Sequence, residues 1–258
     1  MEEIVRALTI VVAILLSVAL LIALWRRLPS TLRHRSDRAG ELAAKGHYAQ
    51  AEVVYRNLTK QMGKVLGVKH PETLVNRLNL LNALRAQGKH VEAEAEIRAV
   101  LKLLEETWGY EHPHTLIFRG DLAVILQAQG KHAEAEAAIR AVLILQEQVG
   151  GDKHPDTIRS RYILGDVLYH QGKYAETETV LRSVLKLQEE VLGAMHPDAF
   201  LYRRALAETL GAQGHYAEAE TECRMTLKRM EETLEQDHPY ILSTRDLLRF
   251  VEANKGKG

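Results

Sequence analysis

The sequence predicts an all-α protein built as an array of stacked helix pairs. Two markers sharing one period, and a helix-forming composition, carry that prediction. The first marker is a glycine followed by a basic residue or His and then by an aromatic ring or His. It recurs at Gly46, Gly88, Gly130, Gly172 and Gly214, each 42 residues after the last. The second is His-Pro, at His70-Pro71, His112-Pro113, His154-Pro155, His196-Pro197 and His238-Pro239, with the same spacing of 42. A fixed period of ~20–50 residues marks stacked supersecondary units that bury a continuous core only by packing on their neighbours. Aromatic residues make up only 5% of the chain, and Ala, Leu, Glu, Gln and Arg dominate outside the glycine markers. These are strong helix formers.

Charge narrows the partner classes. Lys+Arg and Asp+Glu both total 34, so no net field draws in nucleic acid or an acidic substrate. The single cysteine, Cys223, cannot form an internal disulfide, and no cysteine spacing suits a metal. Cys223 stands where other units have Tyr55, Ile97, Ile139 and Leu181, and reads as a small core residue.

Each unit divides at its glycine. Before it, Leu74, Leu78, Leu81 and Leu84 recur at helical spacing between Pro71 and Gln87. Proline suits the first helical turn, where its missing N–H costs nothing, and Glu72, Asp156 or Asp198 complements the helix dipole. After the glycine a longer helix runs from His90 to about Trp108, with Ala93, Ile97, Val100, Leu101 and Leu104 inward. Gly67, Gly109, Gly151 and Gly193 end these second helices with left-handed caps, whereas the last unit has Glu235 there and a less sharply defined end. The expected pairs span 31–67, 71–109, 113–150, 155–193 and 197–235, with a lone helix from Pro239 to about Glu252 as a cap. Arg38 replaces the leucine of Leu80, Leu122, Leu164 and Leu206, as suits an end repeat.

Ahead of the repeats, Ala7 to Trp25 is a run of 19 uncharged residues. At ~1.5 Å per residue it would just cover a ~30 Å hydrocarbon core. Its start lacks the basic character of a signal peptide and its end is Trp25-Arg26-Arg27, so a transmembrane anchor over residues 1–28 is expected. The flanking Trp25, Arg26 and Arg27 would meet the membrane interface and lipid headgroups. The positive-inside rule then predicts a single-pass protein of the cell membrane with its repeat domain in the cytoplasm.

Small residues around the turn, such as Gly165, Ala93 and Ala135, with Ile97, Ile139 or Leu181 four residues after the latter pair's positions, resemble the tetratricopeptide repeat. The period of 42, the turn from Gly172 to Glu176 and the linker Leu192-Gly193-Ala194-Met195-His196-Pro197-Asp198 are similar to the kinesin light chain type of that repeat. The resemblance implies a right-handed superhelix of five 42-residue helix-turn-helix repeats and a C-terminal capping helix, over residues 29–252, with a disordered tail at 253–258. It implies a scaffold that binds protein partners. Its bacterial members accompany bacterial tubulins, which makes a tubulin-like filament subunit the specific partner and the membrane anchor the other attachment. A chaperone-like assembly adaptor for envelope or secretion complexes is the alternative.

Polar residues also recur. Arg35, Arg77, Arg119, Arg161, Arg203 and Arg245 share one position in the first helices, and Glu52, Glu94, Glu136, Glu178 and Glu220 one in the second. Arg56, Arg98, Arg140, Arg182 and Arg224 follow those acids by four residues, a stabilising orientation. The row reads either as an inter-helix ladder in which each Glu is shared by flanking arginines, or as a basic stripe for an acidic partner. Residues that every unit keeps suit what every unit must do, which is stack. The His-Pro histidines read as helix-entry caps, because no repeated Cys or acid completes a metal sphere.

Binding is expected where units differ. The repeat's geometry puts first helices along a concave groove, holding Leu78, Asn79, Asn82 and Arg85, then Asp121 and Val124, then Arg159, Tyr162, Asp166 and Tyr169, and last Arg204 and Glu208. Apolar side chains among Asn, Arg and Tyr suit an extended peptide or a helix. The same residues could instead fill the interior or contact the next repeat. The kinesin light chain asparagine at Asn79 is replaced by Asp37, Asp121, Ile163 and Ala205 in the other units. No nucleophile–base set, phosphate-cradling loop or catalytic carboxylate pair stands out, so neither an enzyme nor a cofactor is expected.

Overall fold

A computed structural model describes residues 30–255. Among them there are eleven helices and no strand. Helix α1 covers 30–44, and then come α2 (Tyr48–Val65), α3 (Pro71–Ala86), α4 (His90–Trp108) and α5 (Pro113–Ala128). They are followed by α6 (His132–Gly150), α7 (Pro155–His170), α8 (Tyr174–Val191), α9 (Pro197–Ala212), α10 (Tyr216–Glu231) and α11 (Pro239–Asn254). Two compact units divide the chain, one ending at Glu96 and the other beginning at Ile97, inside α4. In the first unit α2 packs on α3, and Leu32, Leu58 and Met62 form a core cluster. In the second, every helix from α5 to α11 packs on the next. The first helices of successive pairs, α5 with α7, α7 with α9 and α9 with α11, also touch. Its larger core clusters join Leu116, Ile139 and Leu164 on one side and Leu181, Leu206 and Leu210 on the other.

The His-Pro signal starts first helices as expected. His70, His112, His154, His196 and His238 each sit at an N-cap, and the ring Nδ1 of each accepts from the backbone N–H two residues on, at 3.2–3.3 Å. One donor that the helix start would leave orphaned is thereby satisfied. At the other end of the first helix, Gly88 takes φ +71° and lets Lys89 donate back to the Leu84 carbonyl at 2.9 Å. A side chain would find open space at Gly88 but would strain the left-handed backbone. The helix closed by Glu235 in sequence ends earlier, at Glu231. Without a left-handed glycine the chain leaves through a turn held by Thr233 and Leu234 donating to the Met230 carbonyl. Cys223 is fully buried, as a core residue should be, and burial pushes its thiol up to about 11.

One expectation needs correction. A single transmembrane helix was expected ahead of the repeats, yet no helix among the described residues is long and apolar enough to cross a membrane. These helices turn an apolar stripe inward and charged residues outward, which suits stacking and opposes insertion in lipid. The stretch Ala7 to Trp25, with Arg26 and Arg27, lies outside the described residues. Among the described residues the fold class is therefore the all-helical repeat array, and a single-pass membrane location is not supported.

The glutamate row is a ladder, with partners that differ from those expected. Glu136 accepts from Arg140 on its own helix and from Gln171 and Lys173 at the next turn, each at 2.9 Å. Glu52 repeats the arrangement with Arg56, Gln87 and Lys89 at 2.8 Å. Glu178 takes Arg182 at 3.0 Å and Gln213 at 2.8 Å. The same arginines reach onward: Arg140 donates to Glu176 at 2.6 Å, Arg182 to Glu218 at 2.7 Å, and Arg56 pairs with Glu92. The first-helix arginines belong to a second network. Arg77 pairs with Glu96 at 2.6 Å, Arg119 with Glu105 at 2.6 Å, and Arg161 with both Glu147 and Asp152 at 2.7 Å. The reason is geometric. A first-helix arginine faces an adjoining second helix, while the ladder glutamate faces the inter-helix turn of the following unit.

The donors hold Glu136 at a pKa of about 2, the Lys173 hydrogen bond contributing most. At Glu52 burial pushes the carboxyl up, but Lys89, Arg56 and Gln87 outweigh it and bring it to about 2. A carboxyl depressed in the folded state stabilises the fold above its ordinary value of 4.5, and that contribution is lost as pH falls toward about 2. The thermal midpoint is therefore expected to fall from about pH 5 to pH 2, with Glu136→Gln removing part of the fall. At neutral pH, Glu136→Lys should cost about 1–3 kcal/mol in urea unfolding; no loss would assign the row to surface charge alone.

Candidate functional site: a docking face

First helices expose what the ladders do not use. In the first unit, Leu78, Asn79 and Arg85 on α3 are half-buried and Asn82 is exposed. Asn79 borders a depression of about 540 Å3 with Val75 and the α1 residues Arg33, Ser36 and Asp37. Arg85 lies 3.4 Å from the Asn82 amide oxygen.

The second unit sorts its expected groove residues into two sets. Asp121 on α5 is buried and accepts from Arg159 on α7 at 2.6 Å, a bond that ties the two first helices together. Val124 packs against the Leu116–Ile139–Leu164 cluster. These three side chains are engaged in structure. The other five, Tyr162, Asp166 and Tyr169 from α7 and Arg204 and Glu208 from α9, meet around one pocket of about 80 Å3, although Tyr162 also packs against the Leu181–Leu206 cluster.

Packing sets the geometry of that pocket. The Tyr162 ring lies 4.7 Å from the Tyr202 ring at 34°, and Tyr169 is flanked by Tyr174 at 5.3 Å and by His170 edge-on at 5.5 Å. Burial, with the Asp166 charge behind it, pushes the Tyr162 hydroxyl up to about 12. Burial also raises Tyr169, together with the Glu208 charge. Arg204 sits 3.3 Å from Glu208, and the His170 ring nitrogen 3.7 Å from the Asp166 carboxylate. Gly165 contributes no side chain beneath them; a Cβ there would come within 3.2 Å of Leu181. From spacing Gly165 is only a small residue near a turn, and nothing in the period brings Tyr202 against Tyr162 or Tyr174 against Tyr169. Steps of 42 in either direction find the glycine's equivalents as Leu81, Ala123 and Ala207, so among these units this one alone leaves the floor bare. No sequence spacing announces Tyr174 or Tyr202, because they join through packing.

A tetratricopeptide repeat model matches residues 114–190 and 161–232, and a second tetratricopeptide repeat model matches residues 78–149, so together they span more than half of the chain. The chain belongs to the tetratricopeptide repeat family. No curated protein sequence matches it. Among solved structures, this tetratricopeptide repeat chain is similar to the nearly identical TPR-like repeats of a kinesin light chain from Podosopora anserina. The identity is 25% and the TM-score 0.62, over 80% of this chain and 97% of that one. It shares its fold with BtubC (BKLC) from P. vanneervenii at 18% identity and TM-score 0.64, over 81% of this chain and 85% of that one. A Rap protein complexed with Competence and Sporulation Factor has the same fold at 13% identity and TM-score 0.69, over 90% and 68% of the two chains. The kinesin light chain type of repeat therefore stands, and the fold is one suited to protein–protein interaction.

The two sets of residues separate by stability. Asp121→Ala is expected to cost about 1 kcal/mol, since it unties α5 from α7. Asp166→Asn should stay within about 0.5 kcal/mol of the parent. Equal losses in chemical denaturation would put both in one structural network.

Proposed function

We propose that this protein is a scaffold or adaptor that docks a segment of a protein partner on the first-helix face of its second unit. One observation supports the reading above others: the ring- and charge-bearing residues that depart from the repeat converge on one pocket. At the positions of Tyr162 and Tyr169 the unit before has Gly120 and Gln127, and the unit after has Arg204 and Gly211. Stacking accounts for part of Tyr162, which packs on Tyr202 of the next unit, but not for Tyr169, which no other unit repeats. A docked strand or helix would lay side chains into such pockets along the face. In its specific form, which the kinesin light chain resemblance motivates, the partner is a subunit of a tubulin-like filament.

Co-sedimentation with a bacterial tubulin-like polymer tests the specific form. The chain should pellet with polymer, and Tyr162→Ala with Tyr169→Ala should weaken pelleting by about tenfold. A chain that stays in the supernatant excludes the filament. A photo-crosslinker in place of Tyr169 tests the face itself, and should join to whichever partner is bound.

A further inference from the structure

We infer that the pocket between α7 and α9 takes a basic side chain of the docked segment, an arginine above all. The inference rests on the docking reading and adds the chemistry that the pocket selects. Two carboxylates, Asp166 and Glu208, and two tyrosine rings, Tyr162 and Tyr169, border the pocket with one guanidinium, Arg204, and the His170 ring, 3.7 Å from Asp166. Arg204 is within 3.3 Å of Glu208 on its own helix, so that pair nearly balances itself and Asp166 supplies the excess negative charge at the pocket. Burial is the main cause of the raised Tyr162 and Tyr169 hydroxyls, and the Asp166 and Glu208 charges add to it.

The walls suit a planar cation. Tyr162 is held against Tyr202, and Tyr169 against Tyr174, so each ring keeps its place without a ligand. A guanidinium stacks on such a ring and forks to a carboxylate at the same time, which an ammonium does less well. The bare floor at Gly165 leaves room for the aliphatic stem, beside Leu181 and Ala205. No other unit combines these residues. The set Tyr162, Gly165, Asp166, Tyr169 becomes Gly120, Ala123, Val124, Gln127 one unit earlier and Arg204, Ala207, Glu208, Gly211 one unit later.

A positional-scanning library of short peptides, with one residue fixed and the rest random, is the probe for the full chain. Arg-fixed pools should bind at least about fivefold better than Glu-fixed pools. Tyr169→Leu and Asp166→Asn should each cut that ratio to below about twofold, while far-UV circular dichroism and the thermal midpoint stay at parent values. A preference for Asp or Glu, or an Arg preference untouched by both variants, overturns the inference. Equal binding of all pools overturns it and leaves the docking reading standing. Binding of no pool, together with no partner crosslinked through the Tyr169 position, overturns both.

Discussion

The structure depends on a half-buried carboxylate that belongs to two repeats at once. Glu136 lies in one second helix, yet two of its three donors come from the turn that opens the next. Arg140 closes the same link from the other side by reaching Glu176. A carboxylate so placed could not be left unpaired, because removing any donor leaves a partly buried charge short of its bonds. Each repeat is therefore complete only when the next is stacked on it. Within both units the pattern repeats, at Glu52 in the first and at Glu136 and Glu178 in the second.

This link and the His-Pro caps carry much of the polar bookkeeping at helix ends, and apolar stripes do the rest. Ile139, Val142 and Leu143 in α6 face Leu164 and Leu168 in α7, and their counterparts in α8 face α9. Because the ladders lie between second helices and turns, the outward side of the first helices is released from structural duty. That release is partial. Asp121 and Arg159 spend it on one more tie between repeats, while Tyr162, Asp166 and Tyr169 line an open pocket.

Much of the architecture was legible because it repeats. The turn and helix-end glycines predicted by the period, from Gly46 to Gly214, all take positive φ. First helices begin at their prolines, and Ala93, Ile97, Val100, Leu101 and Leu104 are all buried. The partners of the ladder were not legible. Local spacing reveals Glu136 with Arg140 four residues on, but Gln171 and Lys173 lie 35 and 37 residues away and meet it only through stacking. For the same reason spacing does not reveal which acids the first-helix arginines meet, such as Glu105 for Arg119 and Glu147 for Arg161.

The candidate face shows the same division more sharply. By itself the sequence determined helix positions, the class of stacked pairs, and which residues escape the period, since these follow from local propensity and from a repeat that every unit obeys. Only the tertiary structure decided that Asp121 and Val124 serve the interior while Tyr162, Asp166, Tyr169, Arg204 and Glu208 share a pocket. Residues 42 apart in sequence occupy equivalent places in different repeats, but equivalence says nothing of depth. Depth depends on which neighbours arrive across the helix interfaces, as Gly165 under Tyr162 and Tyr169 illustrates.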